Sequence, residues 1–231
     1  MSNVCIIPAR GGSKRIPRKN IRDFCGKPII AYSIEAALMS NLFEIVMVST
    51  DDMEIAEISK SYGGQVPFMR TAKNSNDFAT TADVLLEVID EFGKIGKVFE
   101  SVCCCYATAP FITSERIKEG YKVLNDKNAG SVFPFVEYSF PIQRSLKADA
   151  DHKLSMNWVE FMNTRSQDLE KAYHDAGQWY WMQTADLLKE KKIWMDNTYG
   201  LKLSPLEVQD IDNETDWKVA EFKYEYLQSI K

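Results

Sequence analysis

The sequence predicts an α/β protein built on a mainly parallel, doubly wound sheet with helices on both faces. Short β-branched runs alternate with helix-period segments through the first half of the chain. Residues 101–107 are apolar nearly throughout, as a strand covered on both faces requires. A length of 231 residues, 45% hydrophobic and 26% charged, is enough for one domain with a sizeable core.

Residues 4–9 read as a strand that ends in the loop Arg10-Gly11-Gly12-Ser13-Lys14. A helix is expected over 28–40, with Pro28 at its start and Ile30, Ile34, Ala37 and Leu38 on one face. A second strand spans 44–49. Asp51-x-x-Glu54 opens the next helix and Gly63-Gly64 closes it. A third strand is expected over 65–69, then a helix over 80–92 carrying Val84, Leu85, Val88 and Ile89. The strand 101–107 and a helix over 114–124 follow. In such sheets ligands sit beyond the carboxyl ends of the strands. The loops 10–20, 70–81 and 106–110 all follow predicted strands and should line one crevice.

The alternation breaks after Val136. Residues 137–170 carry Pro141, Trp158 and scattered charges without a helical period. The segment is too long for a plain connection, so an arm or a subunit contact is expected within an otherwise single domain over 1–231. A strand returns at 177–182. A closing helix from about Glu214 bears the stripe Trp217, Ala220, Tyr224 and Leu227.

The net charge of −5 argues against a nucleic-acid partner. Residues 10–22 nevertheless hold Arg10, Lys14, Arg15, Arg18, Lys19 and Arg22 with no acid among them. A local anionic ligand or a solvated basic loop would each explain this, and charge alone does not choose between them. No apolar stretch is long enough to span a bilayer, and Met1-Ser2-Asn3 leads directly into a strand, so a cytoplasmic protein is expected. Cys103, Cys104 and Cys105 are consecutive while Cys5 and Cys25 stand alone. No CxxC spacing appears, so the thiols read as core.

Three constellations carry chemistry. In the first, Arg10 to Asn20, the pair Gly11-Gly12 allows close backbone approach to an anion, and Lys14, Lys19 and the arginines add charge-assisted bonds to phosphate. Ser13 and Asn20 belong to the same loop, which matches neither GxxxxGK[ST] nor GxGxxG. A triphosphate cradle is the better reading. In the second, Asp210 and Asp212 alternate around Ile211, which in an extended segment puts both carboxylates on one face, suitable for Mg²⁺. A helix cap would account for Asp212 or Asn213 but leaves Asp210 without a role. The third combines Arg165, Gln167, Tyr173, His174 and Asp175 just before a strand, a mixture suited to a polyhydroxylated, carboxylated ligand. No nucleophile partners His174 in a triad-like spacing.

In order and spacing, these constellations resemble the CMP-sialic acid synthetase family over nearly the whole chain. "IIPARGGSKRIPRKN", "GKPIIAYSI", "VSTDD", "VPFMR" and "DIDNETDW" carry the resemblance. Through "CYATAPF", "FPIQR", "RSQDLEKAYHDAGQWYW" and "VQDIDNETDW" the chain resembles the pseudaminic acid cytidylyltransferases more closely than the ordinary sialic acid enzymes. The resemblance implies a Rossmann-like fold and CTP with an acidic nine-carbon 2-keto sugar as substrates. It also implies Mg²⁺ on Asp210 and Asp212, and a homodimer whose arms reach into the partner's site. By position, Arg10 and Lys14 would contact phosphates, with Asp210 as the third catalytic residue. Asn20, Arg70 and Thr81 would serve the ribose and base. Arg165, Gln167, Tyr173, His174 and Asp175 would lie near the sugar, with Gln143 and Arg144 in the arm. Two departures from the sialic acid enzymes stand out: Tyr106 replaces a Gln after the central strand, and Asp175-Ala176-Gly177 replaces an Asn-Gly. The rival readings are a CMP synthetase for sialic, legionaminic or octulosonic acid and a non-enzymatic nucleotide-binding module. A sugar-1-phosphate nucleotidyltransferase would open with Gly-x-Gly-Thr-Arg, which is absent here.

Overall fold

The computed structural model describes residues 2–230. Its first half forms β1 (Asn3–Pro8), the ribbon β2 (Asp23–Phe24) and β3 (Lys27–Pro28), α1 (Ile29–Ser40), β4 (Ile45–Ser49) and α2 (Met53–Ser61). Then come α3 (Thr81–Lys94), β5 (Ser101–Cys105), α4 (Ser114–Asp126) and β6 (Ser131–Glu137). The ribbon β7 (Leu146–Ala148) and β8 (Leu154–Met156) precedes β9 (Tyr173–Asp175), β10 (Trp179–Gln183), α5 (Thr184–Glu190), β11 (Thr198–Lys202) and α6 (Glu214–Ser229).

The main sheet has the order β11-β6-β10-β5-β1-β4, with β9 added on β6. β1 pairs in parallel with both β4 and β5, and β11 pairs in parallel with β6. β10 runs antiparallel between β5 and β6, and β9 is antiparallel to β6. Five strands therefore share one direction and two oppose it.

Side-chain alternation explains the two helical layers. Cys5 and Ile7 of β1 face Ile30, Ile34, Ile55, Ile117 and Leu124, which come from α1, α2 and α4. Val4 and Ile6 face Leu85, Val88, Phe92 and Leu187, from α3 and α5. The thiols follow the same rule: Cys103 and Cys105 lie on the first face and Cys104 on the second, all fully buried. A third cluster joins Ile16, Phe24, Ile29, Tyr32 and Phe111 to Ile211, Trp217 and Ala220, so α6 clamps the base of the N-terminal loop.

Helix starts use capping chemistry. At α2 the cap is Asp52, which accepts from the Ile55 amide, and not the expected Asp51, which accepts from Gly11. Thr80 and Asp83 form a reciprocal capping box on α3. The expected strand over 65–69 does not form: Gln65 alone bridges to Met47, because Pro67 has no N–H to continue a ladder. β6, β9, α5, β11 and the two ribbons have no counterpart among the sequence-derived elements. Between β6 and β9 the chain leaves the sheet, and β7 and β8 pair only with each other. Among the described residues, no helix is long and apolar enough to cross a membrane.

Helix α4 lies directly on the β10 tryptophans, where a Cβ at Gly120 would meet Trp179 at 2.4 Å and Trp181 at 3.0 Å. On a free helix surface Gly→Ala stabilises by about 1 kcal/mol. Here overpacking should dominate, and Gly120→Ala should lower stability by about 1–3 kcal/mol in urea unfolding.

Candidate functional site

A cavity of about 480 Å³ opens where β1 and β5 end, lined from three chain segments. Arg10, Ser13, Lys14, Arg15, Lys19 and Asn20 come from the first, Arg70, Asn74, Asp77 and Thr81 from the second, and Tyr106 and Thr108 from the third. The expected crevice at the carboxyl ends of the strands is therefore present.

The basic loop is fixed by acids that lie far away in the sequence. Arg10 and Lys14 both bond to Asp77, at 2.7 and 2.5 Å. These two bonds hold the Asp77 carboxyl below the usual range, Lys14 contributing most. Arg18 sits in a left-handed backbone conformation with φ 56° and grips Asp52 and Glu54. Arg22 bonds Glu214 at 2.6 Å and lies over the Trp217 ring. Lys14 and these arginines thus form a cationic surface ordered by ion pairs.

Gly11 packs against acids of the next loop. The Gly11 amide is committed to Asp51, donating at 2.9 Å, and a Cβ there would meet Asp52 at 2.7 Å. Gly11 allows the loop to approach these carboxylates, and neither it nor Gly12 lines the cavity. Asn20 is buried and donates to the Arg10 carbonyl at 2.9 Å. Arg70 is also nearly buried, anchored by Ser49 through its Oγ at 3.0 Å and its carbonyl. Burial pulls the Arg70 guanidinium below its ordinary value, with Asp51 and Glu87 only partly offsetting this. A desolvated cation with donors to spare on a cavity wall suits an electron-rich ligand.

The twin aspartates meet the basic loop. Arg15 bonds Asp212 at 2.7 Å, and the Lys19 ammonium donates to the Ile211 carbonyl at 2.7 Å. Burial lowers the Lys19 pKa, while Asp212 and Asp210 act to raise it. Ile211 is buried and Asp210 exposed on the opposite side of the extended segment. The cap on α6 comes from Asn213 and Asp216 instead, which leaves both Asp210 and Asp212 carboxylates outside the capping box. Two hard oxygen donors fit Mg²⁺, which takes few protein carboxylates and completes its shell with phosphate and water. Among the described residues, no cluster of three or more metal-ligating side chains exists, so a cage for a transition metal is not offered.

The sugar-directed residues divide. Asp175 accepts from the Gly177 amide at 2.8 Å and from the Tyr180 hydroxyl at 2.7 Å, and Tyr180 packs on Tyr106 at the cavity wall. His174 lies against Tyr138, and Tyr173 against Phe135. Gln143 donates to the Glu170 carbonyl, Arg144 to Ser166, and Arg165 pairs with Asp168. Gln143, Arg144, Arg165 and Gln167 do not line the cavity of their own chain. Sequence reasoning missed Asp77, whose Asn-Asp-Phe context gives no sign that it faces two cations, and Tyr180, hidden within an aromatic strand.

Asp77 occupies the two cations that a phosphate chain would use. Asp77→Asn should tighten binding of inorganic tripolyphosphate at low salt by roughly two- to fivefold, read by calorimetry. Weaker binding would instead assign Asp77 to holding the cations in place.

The chain is similar to proteins of known activity. The family described as cytidylyltransferase matches residues 4–221. The pseudaminic acid cytidylyltransferase of Campylobacter jejuni is 41% identical over 224 residues, covering 97% of each chain. The CMP-N,N'-diacetyllegionaminic acid synthase of Legionella pneumophila is 34% identical, covering 96% of this chain and 95% of its own. A CMP:2-keto-3-deoxy-manno-octonic acid synthetase structure, complexed with CTP, superposes with a TM-score of 0.69 at 17% identity, over 99% of this chain and all of that one, a likeness of fold. With this match across most of its length, the chain belongs to the cytidylyltransferase family.

Proposed function

We propose that the protein transfers CMP from CTP to the anomeric hydroxyl of pseudaminic acid and releases pyrophosphate. The observation that carries this reading is the meeting of the basic loop with the twin aspartates, through Arg15–Asp212 and Lys19–Ile211, across nearly 200 residues of sequence. Relatives named for this activity at 40–41% identity support pseudaminic acid over legionaminic acid, whose named relative stands at 34%.

In the reaction, the sugar hydroxyl attacks the α-phosphorus, the bond to the β-phosphate oxygen breaks, and the hydroxyl proton passes to solvent. Such transfers rest on positioning and charge neutralisation more than on covalent help. Arg10 and Lys14 would exchange Asp77 for phosphate oxygens and balance the departing pyrophosphate, with Ser13 and Lys19 beside them. Arg70, Asn20, Thr81 and Tyr106 would hold the nucleoside against the strand ends. Asp210 and Asp212 would hold Mg²⁺, Asp212 turning from Arg15 to do so. When bound, the ion supplies charge neutralisation and favours the ionised sugar hydroxyl.

The same reading makes the enzyme a cytoplasmic homodimer. The segment between β6 and β9 exposes Phe140, Leu146, Leu154, Val159 and Met162, an apolar set suited to a second copy. Its Gln143, Arg144, Arg165 and Gln167 lie outside their own cavity and would serve the partner's. The five free cysteines accord with a reducing compartment.

Incubation with CTP, Mg²⁺ and a panel of nonulosonic acids should give the CMP-sugar of pseudaminic acid by mass spectrometry; a different preferred sugar would reassign the substrate. Asp210→Asn should lower kcat by roughly 10²-fold or more while CTP binding and fold persist, and wild-type turnover would remove the metal role. Leu154→Asp should yield a folded monomer with reduced activity in sedimentation and pyrophosphate-release measurements. On a monomeric wild type the same change would be silent.

A further inference from the structure

Beyond the cavity, the same edge of the sheet carries a second group of charges. β10 runs antiparallel to both β5 and β6, and β11 is parallel to β6. Glu137 at the end of β6 and Lys202 at the end of β11 therefore lie along the edge where β1 and β5 open into the cavity. Ring contacts connect the two places. Tyr106 lines the cavity, its ring lies 5.1 Å from Tyr180, and Tyr180 lies 5.4 Å from Phe133. Phe133, Phe135 and Glu137 alternate onto one face of β6. Lys202 and Asp175 are paired with Phe135, and Tyr173 with Glu137, so all six residues share that face.

On this face Glu137 stands between two cations. Lys202 reaches it at 2.7 Å and Lys171 at 3.0 Å. These bonds hold the Glu137 carboxyl below its usual range, Lys202 contributing most. The Lys202 ammonium also lies 5.1 Å over the Tyr173 ring, which meets the Phe135 ring edge-on at 5.2 Å. Phe135 in turn rests on Gly200, where a Cβ would meet its ring at 2.4 Å. The oxygens of Asp175 are turned instead to the Gly177 amide and the Tyr180 hydroxyl. Glu137 and Lys171 also line a hollow of about 310 Å³ at the root of the segment that leaves the sheet, so the cluster has open space beside it.

Packing does not account for this group. Lys171, Lys202 and Tyr173 are exposed, and water and salt screen such ion pairs to a small contribution. Two ammonium groups around one carboxylate are a ready seat for another carboxylate, and a weak pair is exchanged at low cost. The rings beside it offer apolar area to the C–H groups of a sugar.

We propose that Lys202, with Lys171, takes the carboxylate of the sugar acid in place of Glu137, beside the aromatic floor of Tyr173 and Phe135, and so selects acidic over neutral acceptors. This rests on the CMP-transfer reading and adds to it two binding residues that the transfer step itself does not use.

The test compares the sugar acid that the wild type accepts with its carboxamide. kcat/KM is measured for each, with KM for CTP and the unfolding midpoint alongside. Wild type should prefer the acid. Lys202→Met keeps the apolar stem and should raise KM for the acid by roughly five- to tenfold, the scale of one charge-assisted hydrogen bond. KM for CTP and the values for the carboxamide should stay as they were, so the preference narrows, and Lys202→Arg should restore it. Lys171→Met, at the more exposed lysine, repeats the comparison where a loss of fold is not at issue. An unchanged acid-to-amide preference in the double variant overturns the proposal, as does a rise in KM for CTP in its place. Either result leaves CMP transfer standing. A wild type that yields no CMP-sugar from any acid removes the transferase reading, and this proposal with it.

Discussion

The site depends on one clamp between the two ends of the chain. Ile16 and Phe24 at the base of the N-terminal loop bury against Ile211 and Trp217, with Ala220 completing the contact. Each large side chain so buried contributes about 1.5–3 kcal/mol. That apolar contact brings Arg15 to Asp212 and Lys19 to the Ile211 carbonyl. Six cations in thirteen residues repel one another, so the loop needs this anchor and its acidic partners to hold a cradle. The Arg22 guanidinium over Trp217, bonded to Glu214, ties the same junction from its charged side.

Charge is balanced around this clamp in a way that leaves it exchangeable. Asp77 answers Arg10 and Lys14, Asp52 and Glu54 answer Arg18, and Asp212 answers Arg15. These pairs are partly exposed, where water and salt screen an ion pair to a small contribution. Such pairs order the loop but cost little to replace with phosphate oxygens. Arg70 and Asn20 are different. They are buried and anchored by sheet and loop carbonyls, and they form the rigid wall against which a ligand can be placed.

Aromatic strand β10 links the wall to the sugar-directed motif. Trp179 and Trp181 face α4, where Gly120 makes room for them, while Tyr180 faces the other way toward Tyr106. The alternation of a strand thus separates packing from polarity within three consecutive residues. Two large rings fill the core on one side, and one phenol carries a hydrogen bond to Asp175 on the other.

Local chemistry was enough to determine a good deal of this protein. The strands at the centre of the sheet, the cap at Thr80 and the stripe of α6 follow from period and capping, which act within a few residues. So does the burial of Ile211 between the more exposed Asp210 and Asp212, since an extended chain alternates its side chains. The loss of the 65–69 strand was also written locally, in Pro67. Only tertiary structure decided which acids answer the basic loop, that the Gly11 amide donates to Asp51, and that Tyr106 stands before Tyr180 and Asp175. Edge strand β11 and reversed strand β10 belong with these, because their pairing is chosen by neighbours far away in the sequence. The physical reason is range: propensity and periodicity are set by adjacent residues, whereas an ion pair or a contact between rings exists only once the packed core has brought distant segments within a few ångströms.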